Sequence, residues 1–157
     1  MEQTQQEFPK KGRLAGIDYG TVRIGVAVCD SDRIIASPFD IYVRKSEKKD
    51  AEYFRKFVQE ERIVQFVLGL PLHLDGRLSP KAQEAQAFGA WLTEQTGLPV
   101  DYMDERFTSV EASGLLREVK MTLKKRKARI DKIAAQILLT NYIERGCQGT
   151  TVWQSLD

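Results

Sequence analysis

An α/β domain with a mixed five-stranded sheet and helices on both faces follows from three features of the sequence. Three short apolar segments come in succession before residue 45 with turn signals between them, which is how antiparallel strands follow one another. Beyond residue 45 the hydrophobic spacing alternates between helical and strand periods, a pattern that demands parallel crossovers. The 157 residues, 42% hydrophobic and 29% charged, suit one globular domain with a core of its own.

Each element has its own signal. Residues 1–12 are rich in Gln, Glu and Lys and close on Pro9 and Gly12, so a disordered tail is expected there. The domain is expected over 13–146, with a C-terminal tail over 147–157. Residues 14–20 and 24–29 are apolar runs bounded by turn signals, and 22–28 is rich in β-branched residues, so the two read as the strands of a hairpin. A third strand is expected over 33–43, past the Asp30-Ser31-Asp32 turn. Pro38 cannot donate to a ladder, which puts the middle of that strand at a sheet edge or a bulge. Ala51, Phe54, Phe57 and Val58 then fall at helical spacing. Residues 63–70 form a buried type of strand that stops at Pro71. Ser79 is a natural N-cap and Pro80 a natural first helical residue, opening a helix that runs past Ala85, Phe88 and Leu92 to Gly97. A fifth strand covers 99–103. Two helices, 109–119 and 130–145, are expected to finish the domain, with a basic stretch between them. The order β-β-β-α-β-α-β-α-α is that of the ribonuclease H-like fold.

Total charge is uninformative, since 24 basic and 22 acidic residues leave +2. Its distribution is not. Residues 117–129 hold seven basic side chains and one acid, Glu118, so the rest of the chain carries 17 basic and 21 acidic residues, a net of −4. A basic run is usually a solvated face, but this one leads into Asp131, and phosphate-backbone binding is the favoured reading. Mutual repulsion predicts that the run is mobile until phosphates order it. Two cysteines, Cys29 and Cys147, cannot build a disulfide framework and point to a reducing compartment. The polar N-terminus offers no signal peptide, and no stretch reaches the roughly 20 apolar residues of a membrane span. A cytoplasmic protein without a membrane partner is expected.

Three acidic positions stand out by context. Asp18 ends the first strand before Gly20, Asp104-Glu105 closes the fifth, and Asp131 is expected to open the last helix. Carboxylates at strand ends and helix starts lie at the rim where α/β sheets bind ligands. Converging there, they would make a hard-oxygen cluster suited to Mg²⁺ or Mn²⁺ and to phosphodiester displacement. Taken singly, such acids are more often solvated caps. The turn over residues 18–25 allows two readings. One sets a metal-binding Asp18 beside a phosphate held by Arg23. The other is the phosphate turn of an actin-like or sugar-kinase ATPase, which needs a second domain. His73, the only histidine, reads as a loop residue with local hydrogen bonds rather than a general base.

Four motifs in order, namely Leu14-Ala-Gly-Ile-Asp18-Tyr-Gly20-Thr-Val-Arg23, Val67-Leu-Gly69-Leu-Pro71-Leu with Asp75-Gly76, Asp104-Glu105-Arg106-Phe-Thr108, and Ile130-Asp131-Lys-Ile-Ala134-Ala135, resemble the YqgF/RuvX family. That family comprises pre-16S ribosomal RNA nucleases or Holliday junction resolvase-like proteins, and the likeness spans residues 13–145. It implies the ribonuclease H-like fold, with Asp18, Glu105 and Asp131 as the acidic catalytic positions holding Mg²⁺ or Mn²⁺. Arg23 and Arg106 are then expected to meet phosphates, and Lys124, Lys125, Arg126, Lys127 and Arg129 to hold the backbone. The chain departs from the pattern mildly. His73 stands where the family often has Asn, and the basic stretch is denser than usual. Resolvase relatives place an acid at the end of the fourth strand, where this chain has Gly69-Leu70-Pro71, so Glu105 supplies the middle ligand from the next strand. The expected activity is metal-dependent endonucleolysis of structured nucleic acid, foremost the 5′ end of precursor 16S rRNA within ribosome precursors. A nuclease for branched DNA and a non-catalytic transcription or ribosome-assembly factor are the alternatives.

Overall fold

In the computed structural model the strands are β1 (Arg13–Asp18), β2 (Arg23–Cys29), β3 (Ala36–Val43), β4 (Ile63–Leu70) and β5 (Val100–Asp104). The helices are α1 (Glu47–Glu61), α2 (Pro80–Thr96) and α3 (Leu123–Glu144). The structure describes residues 7–71, 75, 77–105 and 123–149, in the last stretch with side chains from 133 onward. The sheet order is β3-β2-β1-β4-β5, antiparallel from β3 to β1 and parallel from β1 to β5, so the mixed five-stranded sheet is as expected.

Side-chain alternation along the strands sorts the core into two layers. Ala15, Ile17, Phe66, Leu68 and Val100 pack with Phe54 and Phe57 of α1 and with Ala85, Phe88 and Leu92 of α2. Leu14, Val67 and Met103 turn the other way, onto Ala135, Leu138, Leu139 and Tyr142 of α3. Gly16 shares that second face. A Cβ there would come within 2.9 Å of the Ala135 carbonyl oxygen and 3.0 Å of Leu139 Cβ, so glycine is what lets α3 lie this close to β1.

Local signals account for most boundaries. The Ser79 hydroxyl accepts from the Ala82 N–H, Pro80 opens α2, and Gly97 closes it at φ 76° with its N–H on the Thr93 carbonyl. Pro38 sits in the edge strand, and the β2–β3 register slips between Val26 and Ala27, leaving Phe39 as the bulged residue. The third strand starts at Ala36 rather than 33, because the Asp30 carboxylate accepts from the N–H groups of Ile34 and Ile35 and prolongs the turn. Pro9 and Gly12 carbonyls accept from the Arg33 guanidinium.

The last helix departs from expectation. It begins at Leu123, not near 130, so residues 124–129 are helical rather than a mobile connection, and Asp131 lies in the third turn rather than the first. Leu, Lys, Arg and Ala are all strong helix formers, and their summed propensity outweighs the repulsion among the cations. The helix expected over 109–119 lies outside the described residues. No helix among the described residues is long and apolar enough to cross a membrane.

Candidate active site

The parallel register fixes what meets at the upper rim of the sheet. Ile17 of β1 pairs with Leu68 of β4, and Gly69 of β4 pairs with Met103 of β5. Asp18, Gly69 and the end of β5 therefore stand side by side. Asp104 is fully buried, and Glu105, one residue beyond the strand, is half-buried. The Glu105 side chain folds back across β4 into the space over Gly69, where a Cβ would lie 2.8 Å from its Cγ and Cδ. From there it hydrogen-bonds the Asp18 carboxylate.

The electrostatics reflect that crowding. Burial, then the charge and hydrogen bond of Asp18, then the charge of Asp104, push the Glu105 carboxyl up to about 7, while Lys81 pulls it down. At neutral pH Glu105 thus holds a proton part of the time and donates it to Asp18. Carboxylates that share a proton mark a place where negative charge is crowded.

The third expected acid comes from α3. Ala135 lies over Gly16, and lower down the Tyr142 hydroxyl accepts from Gln65 and donates to Asp101, so α3 runs antiparallel to β1. Counting back four residues from Ala135 climbs roughly 6 Å at 1.5 Å per residue. Counting on two residues from Gly16 to Asp18 climbs roughly 6.6 Å. The backbone of Asp131 therefore stands level with Asp18.

Asp18 is followed by a turn that only glycine permits, since a Cβ on Gly20 would overlap the Arg23 carbonyl. The turn, with Tyr19, Gly20 and Thr21, forms one wall of a cleft of about 210 Å³. Gly69, Pro71 and Glu105 form its floor and the first turns of α2, with Lys81, Glu84 and Ala85, its far wall. Behind the cleft Tyr19 packs on Phe88 with ring centroids 4.9 Å apart, and the Arg44 guanidinium lies over both rings. Arg23 is exposed at the start of β2, beside the cleft but not in its lining. Lys124, Lys125, Arg126, Lys127 and Arg129 lie on the first turns of α3, which end at Asp131. Arg106 and His73 lie outside the described residues. Gly69 was expected at this rim, as part of the strand end before Pro71, though not under the Glu105 side chain. Lys81 escaped the sequence: by spacing it is an ordinary helix-surface lysine, and only the fold brings it to the acids.

The architecture defines a class, the proteins of the ribonuclease H-like fold. The structure is similar to Thermus thermophilus RuvC in complex with a Holliday junction substrate, at TM-score 0.55 over 88% of this chain and 98% of that one, with 14% identity. A second T. thermophilus RuvC structure gives TM-score 0.52 at 15% identity over 85% of this chain and 96% of that one. These likenesses speak for the fold alone. The family model described as "RuvX: Holliday junction resolvase" matches residues 12–145. A Rhodopirellula baltica relative named "Putative pre-16S rRNA nuclease" is 52% identical over 137 residues, 87% of this chain and 79% of the relative. A Koribacter versatilis relative of the same name is 41% identical over 85% of this chain and 88% of its own length. The chain belongs to the RuvX family.

Proposed function

We propose that this protein is a metal-dependent endonuclease that hydrolyses phosphodiester bonds of structured nucleic acid, with the 5′ region of precursor 16S rRNA as its substrate. The observation that carries the reading is the Asp18–Glu105 carboxyl pair, sharing a hydrogen bond at the rim and opening into the cleft. Its relatives' name supports the choice of substrate. The free thiols of Cys29 and Cys147 suit a reducing cytoplasm, where ribosome precursors are met.

The residues fit a divalent cation. All the donors are hard carboxylate oxygens, the set that Mg²⁺ and Mn²⁺ select, and the raised Glu105 carboxyl shows crowded negative charge that such a cation would relieve. Asp18, Glu105 and Asp131 would hold it. Bound there, it would supply Lewis-acid stabilisation of the developing phosphorane charge and a more acidic water. The protein does the rest. The Gly20 turn lets a phosphate approach the backbone, and the Thr21 hydroxyl and Lys81 ammonium face the same cleft. Arg23 and Arg106 would contact further phosphates. Lys124, Lys125, Arg126, Lys127 and Arg129, on the first turns of α3 rather than on a loose linker, would hold the phosphate backbone. Hydrolysis adds water to phosphorus and breaks the P–O3′ bond, leaving a 5′-phosphate and a 3′-hydroxyl.

The test is cleavage of end-labelled precursor 16S RNA and a four-way DNA junction side by side, in Mn²⁺ and in EDTA. The expected result is metal-dependent cutting of the RNA that Asp18→Asn abolishes. Preferential cutting of the junction would move the substrate to branched DNA. RNA binding without cutting in any metal would leave a binding module and overturn the enzyme.

A further inference from the structure

Gly69 is hard to explain by the backbone. It lies inside the central parallel part of the sheet, where glycine weakens a strand, and it is flanked by the fully buried Leu68 and Leu70. The described glycines that need a positive φ are Gly12, Gly97 and Gly146, and Gly69 is not among them. What a side chain would meet explains it. The three atoms nearest to a Cβ on Gly69 all belong to the Glu105 carboxyl end, its Cγ and Cδ both at 2.8 Å. Gly16, on the same face, is different, because there the obstacle includes the Ala135 backbone carbonyl.

We infer that Gly69 is a positioning residue. Its missing side chain is the slot through which Glu105, rooted beyond β5, crosses β4 to reach Asp18 on β1. Neither acid could otherwise meet the other, because the two strands are not neighbours and β4 lies between them. The inference rests on the proposed role of Glu105 and goes beyond it, because it locates the control of that role on a residue with no chemistry of its own. The physical consequence is specific. A methyl at 69 displaces the free end of a flexible side chain and not backbone, so the fold tolerates it while the Glu105 carboxylate loses its place.

The experiment is a double-mutant cycle on Gly69→Ala and Glu105→Gln, read by Mn²⁺ titration calorimetry, by cleavage rate and by thermal melting in EDTA. Gly69→Ala is expected to melt within a few degrees of wild type. Both Mn²⁺ affinity and cleavage should fall by roughly 10–100-fold, the cost typical of disturbing a group that orients metal ligands. The double variant should be no worse than Glu105→Gln alone, because both changes remove one interaction. A merely structural Gly69 would instead multiply its loss with that of Glu105→Gln. A second arm carries the carboxylate on β4 itself. Gly69→Asp combined with Glu105→Gly should regain Mn²⁺ binding over Glu105→Gly alone, since the aspartate grows into the vacated slot. Wild-type Mn²⁺ affinity and cleavage in Gly69→Ala, beside a defective Glu105→Gln, would overturn the positioning role alone. Wild-type behaviour of Glu105→Gln would overturn the site reading and this inference together.

Discussion

Two acids of this protein, the buried Asp50 and the half-buried Glu105, sit under opposite regimes. Asp50, at the start of α1, is 2% exposed and surrounded by donors: the Tyr42 hydroxyl at 2.6 Å, the Lys45 N–H at 3.0 Å and Arg44 Nε at 3.3 Å. Burial pushes its carboxyl up, but those donors outweigh the push and hold it below the usual range. Glu105 is pushed up by burial too, yet its next neighbours are the carboxyls of Asp18 and Asp104, which push in the same direction. An acid enclosed by donors ties β3 to α1. An acid facing acids gathers negative charge at the rim of the sheet, which the ammonium of Lys81 offsets in part.

The sharpest way to break this contrast is to neutralise one acid of each kind. Asp18→Asn keeps the shape and removes a charge from the rim. Cleavage should fall by at least about 100-fold, with folding intact by circular dichroism and melting. Asp50→Ala should do the reverse. It leaves Arg44 and the Tyr42 hydroxyl without their shared acceptor and should cost about 3 kcal/mol, lowering the melting temperature by roughly 6–12 °C. Cleavage per folded molecule should stay near wild type. Loss of activity in folded Asp50→Ala, or collapse of Asp18→Asn, would erase the distinction.

pH sharpens it further, because the two shifts act on stability with opposite signs. Asp50 has a lowered folded value, so its contribution is complete above the unfolded carboxylate value near 4 and fades as pH falls through the folded value. Glu105 has a raised one, so the folded state retains a proton that the unfolded state has released. In EDTA its stability penalty grows from about pH 4.5 up to about 7 and is constant above that, reaching about 3 kcal/mol. Glu105→Gln should flatten this neutral-range slope, and Asp50→Asn should flatten only the acid one. Urea melts at pH 3, 5, 7 and 8 check both. A Glu105→Gln slope identical to wild type between pH 5 and 7 would show that the pair does not share a proton.

The sequence makes donors-near-acid visible only when both are local. Ser79, Pro80 and Gly97 delimit α2 within one stretch of chain, and Pro38 marks the bulged edge, so these were readable. Asp18 and Glu105 were readable as rim acids because each ends a short apolar run. What was not readable is that Glu105 reaches Asp18 over Gly69, since that contact joins β1, β4 and β5 and depends on the parallel register. The start of α3 is hidden in the sequence for another reason. Seven basic residues over 117–129 suggested repulsion and mobility, whereas the propensities of Leu, Lys, Arg and Ala carry the helix back to Leu123. Lys81 had no local mark at all.

Lys81 supplies the smallest and most discriminating effect. It stands across the cleft from Glu105, close enough to lower that carboxyl's proton affinity, and it is exposed on the first turn of α2. If the cleft admits a phosphate, this ammonium is one of its counter-charges. Lys81→Gln should then flatten the dependence of log K on log salt by about 0.7–0.9, the share of one phosphate. Replacing Lys124, Lys125 and Lys127 together with Gln should flatten it by roughly two to three. The two variants should also differ in kind. The triple variant holds substrate less tightly along its length, so KM rises while kcat stays near wild type. Lys81 faces the cleft that holds Glu105, so under the proposed reaction its loss should raise KM about threefold and lower kcat as well, by stabilising less of the charge that develops at phosphorus. Cleavage kinetics at three salt concentrations separate these outcomes. Were Lys81→Gln to change neither the salt slope nor kcat, the cleft wall formed by α2 would be bystander surface and the phosphate would enter from the α3 side alone.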